Sequence, residues 1–225
     1  YEITTRLVGS EMCIRDSEYT TYNCRFAIFA TGGIGRVYEY TTNSAIATGD
    51  GITIAHELGA EIKNLSYIQF HPTGFNNKHT RETFLISESV RGEGAYLKNC
   101  NGERFMQNYD DRLELAPRDV VSHAIMAEAK KTGSDKFYLD ITHKDPEFVR
   151  NRFPMINEKL LEAGYDMTKD MIPIFPCHHY LMGGINVDTY ARTNIDRLYA
   201  CGECSHTGVH GNNCLLYTSP SPRDA

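Results

Sequence analysis

An α/β fold, in which one strand-and-glycine domain is interrupted by an inserted α+β domain, is what this 225-residue sequence predicts. Three observations carry that prediction. A short apolar run, Cys24-Arg25-Phe26-Ala27-Ile28-Phe29-Ala30, stops at Thr31-Gly32-Gly33-Ile34-Gly35, the pattern of a buried strand entering a glycine turn. A similar junction, Leu198-Tyr199-Ala200-Cys201 followed by Gly202-Glu203, lies near the other end. Between them, helical and strand periodicities are mixed.

The elements follow in chain order. Gly49-Asp50-Gly51 leads into a short helix with Ile52, Ala55, Leu58 and Ala60 on one apolar face, ending near Gly59. Residues 65–70 read as a strand ended by His71-Pro72. The clearest helix spans 113–131. Pro117 suits its first turn, where proline's missing N–H is unsatisfied anyway. Val120, Val121, Ala124, Ile125 and Glu128 then recur at helical spacing until Gly133. Residues 145–164 read as another helix, with Phe148, Phe153, Ile156, Leu160 and Leu161 inward, and Pro154 bends or divides it. After Pro173 and Pro176 the pattern returns to β, with a strand at 184–188, a turn at Arg192-Thr193 and the closing strand at 198–201. No internal repeat is visible.

Composition narrows the class. Hydrophobic residues make up 41% and charged residues 23%, which excludes a disordered or fibrous chain. A net charge of −6 argues against a nucleic-acid partner. No apolar run approaches the roughly 20 residues that span a bilayer, and the first residues lack the basic start and apolar core of a signal peptide. Seven irregularly spaced cysteines point to reduced thiols. A soluble, cytoplasmic protein with no membrane partner is expected.

Residues 7–17 and 214–225 resemble translated adapter read-through. The expectation is therefore an internal piece of a longer protein, with 1–17 and 214–225 set aside as non-native.

Four clusters could carry chemistry, each with a plainer reading beside it. Ala30-Thr31-Gly32-Gly33 lets backbone approach a cofactor closely, or is an ordinary strand-to-turn junction. No complete G-x-G-x-x-G fingerprint is present. In Gln69-Phe70-His71-Pro72-Thr73 the proline restricts the histidine backbone, which aims a donor into a pocket or merely shapes a loop. The charges of Ser87-Glu88-Ser89-Val90-Arg91-Gly92-Glu93-Gly94 fit a solvated surface, or a tight turn deep in the fold. Arg118, in Leu115-Ala116-Pro117-Arg118-Asp119, sits where a helix N-terminus favours an anion, and its guanidinium can grip a carboxylate or form a surface pair with Asp119. His178, His179, Cys201, Cys204 and His206 supply a distant alternative, a zinc-binding module without catalysis.

Taken in order, Ala-Thr-Gly-Gly (30–33), Thr-Gly-Asp-Gly (48–51), Gln-Phe-His-Pro-Thr (69–73), Arg-Gly-Glu-Gly (91–94), Ala-Pro-Arg-Asp (116–119), His-Tyr-Leu-Met-Gly-Gly (179–184), Leu-Tyr-Ala-Cys-Gly-Glu (198–203) and Val-His-Gly-Asn-Asn (209–213) form a series. The series resembles the FAD-dependent family of succinate dehydrogenase and fumarate reductase flavoprotein subunits and L-aspartate oxidases. Gly33-Ile34-Gly35-Arg36-Val37-Tyr38, Tyr40-Thr41-Thr42-Asn43, Leu97-Lys98 and Thr207-Gly208-Val209-His210-Gly211 favour the L-aspartate oxidase branch.

The resemblance implies part of a Rossmann-like FAD-binding domain (18–65 and 179–213) interrupted by an α+β capping, substrate-binding domain (66–178). It implies oxidation of L-aspartate to iminoaspartate by hydride transfer to FAD, with oxygen or fumarate as acceptor. That reaction would begin NAD biosynthesis, with quinolinate synthase consuming the imine. A fumarate reductase or succinate dehydrogenase subunit is the close alternative. Ala30, Thr31, Gly32, Asp50 and Glu203 fall at FAD-contacting positions. His71, Ser87 and His179 fall at substrate-carboxylate positions, with Gln69 nearby. Arg118 falls at the catalytic arginine, acting as a carboxylate clamp or exchanging a proton through Glu88, Arg91 and Asp119. The capping domain is expected to close over the flavin. Two departures stand out: the glycine fingerprint is missing, and Cys214 replaces an expected arginine. The fragment alone is therefore expected to be inactive.

Overall fold

Burial of apolar side chains sorts the chain into two units in a computed structural model, which describes residues 23–76 and 82–211. Of these, 23–69 and 178–211 form one unit and 70–76 and 82–177 the other. The suspected non-native ends lie outside the described residues.

The first unit joins segments from both halves of the sequence. Strand β1 (Ala27–Phe29) pairs in parallel with β8 (Leu198–Ala200), in the register Ala27 to Leu198 and Phe29 to Ala200. Helix α1 (Asp50–Glu57) follows Gly49, whose φ of 83° few other residues tolerate. Its apolar face, Ile52 and Ala55, packs with Phe29, Leu181, Ile185, Leu198 and Cys204. A small sheet of order β2 (Ile62–Lys63), β7 (Gly184–Asn186), β9 (Ser205–His206) completes the unit. Gly184 has backbone of Cys204 where a Cβ would lie, so only glycine lets β7 nest there.

The second unit is built on a four-stranded sheet of order β3 (Ile68–Phe75), β6 (Ile172–Leu181), β5 (Phe137–Asp140), β4 (Tyr96–Lys98). Helices α2 (Glu88–Gly92), α3 (Arg118–Thr132), α4 (Pro146–Arg152) and α5 (Pro154–Glu162) accompany it. Ile86, Val90, Leu97, Phe105, Val121, Ile125, Leu139, Leu160 and Ile174 make the core.

Several sequence expectations are corrected, each through a proline. The helix expected over 113–131 starts only at Arg118. Leu113–Leu115 form a separate 3-10 turn, and Ala116 and Pro117 are extended at ψ 153° and 154°. A residue before proline is sterically pushed out of the helical region, which breaks the helix at Ala116. The segment 145–164, by contrast, is divided at Pro154 as expected: two helices are separated at Phe153 (φ −129°, ψ 55°), because Pro154 opens α5 and cannot sit inside a helix. Strand β3 does not stop at His71-Pro72 but runs on to Phe75. It lies at the sheet edge, where a missing N–H is tolerated. Strand β6 runs through both Pro173 and Pro176. Pro173 stands opposite Tyr138 while its carbonyl accepts from Asn76 N (2.9 Å).

Glu128 keeps its helical spacing on α3 but is a buried carboxylate, 2% exposed, rather than a core substitute. It accepts from Asn99 Nδ2 (3.0 Å), Tyr109 OH (2.8 Å) and Lys131 Nζ (3.5 Å). Burial disfavours its charge, but these bonds outweigh burial and hold its pKa below the usual carboxylate value. A depressed carboxylate stabilises the fold above its ordinary pKa near 4.5, and that stability is lost as pH falls through the lower folded value. Glu128→Leu removes the acceptor of Tyr109 OH and one of the two acceptors of Asn99 Nδ2, and should cost about 1–3 kcal/mol. Urea unfolding at pH 7 and pH 4 measures it, with the deficit shrinking as the medium turns acidic.

Candidate functional site

The turn after β1 is held from two sides. Ala30 and Thr31 are exposed, and Gly32 takes φ 75° with nothing within 4 Å of where a Cβ would be. Beside it Gly33 is buried, and a Cβ there would collide with the Glu203 carboxylate. A Cβ on Gly51, next to Asp50 in the first turn of α1, would collide with the Thr31 side chain. Glu203 is buried on the 3-10 turn after β8, where its Oε1 accepts from Leu181 N (3.0 Å). Cys201 N and Cys204 Sγ both donate to Phe29 O (2.9 and 3.3 Å), tying that turn to β1. Thus Ala30, Thr31, Gly32, Asp50 and Glu203 all lie in the 23–69/178–211 unit, around one glycine-lined turn. Bare backbone there admits a flat ligand, and the carboxylates accept from hydroxyl or N–H groups.

The 70–177 unit carries a second cluster. His71 on β3 is fully buried, with Nδ1 3.3 Å from both Thr73 N and Thr73 Oγ1. Thr73 Oγ1 donates to Ile86 O (2.7 Å), and Ile86 N donates back to Thr73 O (3.1 Å), stitching β3 to the entry of α2. Ser87 caps α2, accepting from Ser89 N at 3.3 Å. The next residue, Glu88, accepts from Arg118 Nε (2.7 Å) and lies 3.5 Å from Arg91 NH2.

Arg118, 7% exposed, is the first residue of α3, and Ser122 one turn on donates to Phe70 O (3.3 Å). Arg91, 1% exposed, donates NH1 to Glu114 O (2.5 Å) and Ala116 O (3.3 Å). Burial lowers the Arg91 pKa, the Glu88 carboxylate opposes this, and the Arg118 charge adds to it. Two guanidiniums around one carboxylate leave an excess positive charge, suited to an anionic ligand. Hydrogen bonds thus tie His71 through Thr73 to Ile86, the residue before Ser87, and tie Arg118 to Glu88, the residue after it.

Gln69 and His179 belong to the other unit, both 4% exposed. His179 Nδ1 is 2.7 Å from Thr42 Oγ1, and its carbonyl accepts from Asn43 Nδ2 (3.2 Å). Thr42 and Thr73, left without roles by sequence reasoning, thus contact the two site histidines. Their place beside Asn43 and Pro72 in the quoted motifs was the available signal. His178 is locked differently: its ring stacks on Tyr38 (4.7 Å between centroids) and its Nδ1 is 3.2 Å from Thr41 Oγ1. Among the described residues no group of three His, Cys, Asp or Glu side chains could hold a metal ion, so the zinc alternative finds no ligand set there. No helix among them is long and apolar enough to cross a membrane.

Two outcomes follow from this geometry. Gly51→Ala should destabilise the protein by about 1–3 kcal/mol through overpacking, and Thr31→Gly in the same chain should recover most of the loss. A denaturation cycle of the two single variants and the double variant reads the coupling. Burial pushes the His178 imidazole down to about 4 from 6.5. Because its folded pKa is depressed, the stabilisation is full above pH 6.5 and declines as pH falls toward about 4. The total is on the order of 3 kcal/mol. His178→Phe should flatten the pH dependence of the unfolding midpoint across that window.

Comparison with known proteins agrees with this architecture. The FAD binding domain family matches residues 3–215. L-aspartate oxidase from Yersinia pestis is 49% identical over 224 residues, covering 95% of this chain and 42% of that protein. The enzyme of the same name from Vibrio cholerae is 43% identical over 229 residues, covering 97% of the chain and 43% of that protein. The chain thus spans less than half the length of these relatives. Among solved structures, the FrdA chain of E. coli quinol fumarate reductase is similar at a TM-score of 0.77 and 38% identity, over 84% of this chain and 35% of that one. Mycobacterium smegmatis Sdh1 is similar at 0.68 and 40% identity, over 83% of this chain and 32% of that one. With its β1 glycine turn sealed by Glu203 and its match over residues 3–215, the chain belongs to the FAD-binding domain family, whose cofactor is FAD.

Proposed function

We propose that this chain is part of a flavoenzyme that oxidises L-aspartate to iminoaspartate, with fumarate or oxygen as the electron acceptor. The observation that carries the reading is Arg118, a buried guanidinium at the first residue of a 15-residue helix, fixed by Glu88 at 2.7 Å. Identities of 43–49% to L-aspartate oxidases support it.

Residues of the Rossmann-like part, Ala30, Thr31, Gly32, Asp50 and Glu203, would hold FAD. The open space at Gly32 and the carboxylate over Gly33 fit a flat, hydroxyl-bearing ligand. Bound there, FAD supplies the hydride acceptor; the protein's task is to orient a dicarboxylate. His71, Ser87 and Arg118 of the capping unit, with His179 and Gln69, are the proposed substrate contacts. Arg118 holds a carboxylate with fixed geometry, since Glu88 restrains its Nε side. Arginine retains its proton at ordinary pH, so any proton movement at Arg118 runs through Glu88, which also lies 3.5 Å from Arg91. The imine product would be passed to quinolinate synthase at the start of NAD biosynthesis. Five described cysteines, all free, accord with the proposed cytoplasmic setting. A fumarate or succinate enzyme is the second reading, favoured by the 38–40% identity to fumarate reductase and Sdh1 chains.

Turnover of L-aspartate and of succinate by the flavin-loaded full-length parent protein separates the two readings. Arg118→Leu in that parent, with FAD still bound, should lower aspartate turnover by ~10²–10³. Near-normal turnover in that variant would remove Arg118 from the mechanism.

A further inference from the structure

His71 is a site histidine whose ring polarity the backbone can set. A neutral imidazole carries one proton, and the group facing one nitrogen decides which nitrogen holds it. At His71 the group facing Nδ1 is the main-chain N–H of Thr73, 3.3 Å away. An amide N–H only donates, so it requires Nδ1 to be the bare, accepting nitrogen. The Thr73 hydroxyl lies at the same distance, but its proton is spent on Ile86 O at 2.7 Å.

Two arrangements compete. With the proton on Nδ1, the ring donates to Thr73 Oγ1, but the Thr73 N–H points at another N–H. Thr73 is fully buried, so that backbone donor loses its ring partner where water cannot replace it. With the proton on Nε2, the Thr73 N–H is satisfied and the buried Nε2 becomes the donating nitrogen. The first arrangement sets two buried N–H groups against each other, and the second does not.

We infer that the Thr73 main-chain N–H is the positioning group that keeps His71 neutral with its proton on Nε2, making the ring a hydrogen-bond donor of fixed polarity. The motif builds this in. Pro72 pushes His71 into the extended region, and the reciprocal bonds between Thr73 and Ile86 (2.7 and 3.1 Å) hold the following residue. His179 serves as the contrast. Its Nδ1 faces a hydroxyl, Thr42 Oγ1 at 2.7 Å, which can donate to the ring or, with its proton turned to His178 O at 3.4 Å, accept from it, and so imposes no single tautomer. A fixed Nε2–H donor suits a substrate carboxylate, a use that rests on the proposed reading of His71 as a substrate contact.

The test is ¹⁵N NMR of histidine-labelled, flavin-loaded full-length parent protein at neutral pH, with His71 assigned by His71→Gln, and the same protein serves for the kinetics below. The expected signature is a protonated Nε2 and a bare Nδ1. It should persist in Thr73→Ser and in Thr73→Val, since both retain the main-chain N–H. A protonated Nδ1 in the unmodified protein, or a switch of tautomer in Thr73→Val, overturns the inference. Should Thr73→Val not fold, the unmodified protein and Thr73→Ser decide the matter.

Steady-state kinetics tests the substrate role separately. His71→Gln places an amide donor near the Nε2 position, whereas the shorter His71→Asn places one near Nδ1. The KM for the dicarboxylate should stay within a few-fold for Gln and rise roughly 10- to 100-fold for Asn, as for one lost bond to a charged group. Unchanged KM in both variants would remove His71 from the substrate contacts whatever its tautomer.

Discussion

Two guanidinium groups buried beside one carboxylate are the constraint around which the 70–177 unit is organised. Arg91 and Arg118 are 1% and 7% exposed, and neither could remain charged there without acceptors. The acceptors come from three places: the Glu88 carboxylate, Glu114 O and Ala116 O. The break before α3 follows from this need. Pro117 keeps Ala116 extended, so the Ala116 carbonyl is available to Arg91 instead of closing another helical turn. The same break makes Arg118 the first helical residue, at a helix N-terminus whose dipole favours an anion. One steric property of proline thereby sets both the support for Arg91 and the position of Arg118.

In the 23–69/178–211 unit the governing term is steric rather than electrostatic. Glycines stand where chain segments meet with no room for a Cβ: Gly33 under Glu203, Gly51 under Thr31, Gly184 against Cys204. The first of these contacts joins segments from both halves of the sequence, as does the pairing of β1 with β8. Gly32 differs, since nothing occupies its Cβ direction and its φ of 75° is what calls for glycine. The turn is thus rigid on its inner side and bare on its outer side, a combination suited to receiving a cofactor.

The histidines show how similar sequence contexts acquire different chemistry. His178 and His179 are neighbours on β6, and both meet threonine hydroxyls. His178 is stacked on Tyr38 and sealed, so burial holds it neutral well below the ordinary range. His71, on another strand, meets a main-chain donor. Sequence proximity says nothing about which partner each ring nitrogen finds.

What could be read locally was determined by local physics. The β1–glycine and β8–glycine junctions, the amphipathic body of α3 with its Gly133 stop, and the division at Pro154 all depend on neighbours within a few residues. The ordered motifs also carried the family membership. The tertiary structure decided the rest. Prolines 72, 173 and 176 lie inside strands, Pro72 on the edge strand β3, while the Pro173 carbonyl accepts from Asn76 N. Strands as short as β2 and β4 exist by pairing with residues forty or more positions away, beyond any local pattern. Glu128 kept helical spacing yet became a bonded carboxylate, since Asn99 and Tyr109 reach it from distant turns. Arg118 was legible as a cation at a helix start. Its link to Glu88, 30 residues earlier, came only from the resemblance, and its burial from neither, because desolvation and pairing belong to the folded chain rather than to the residue.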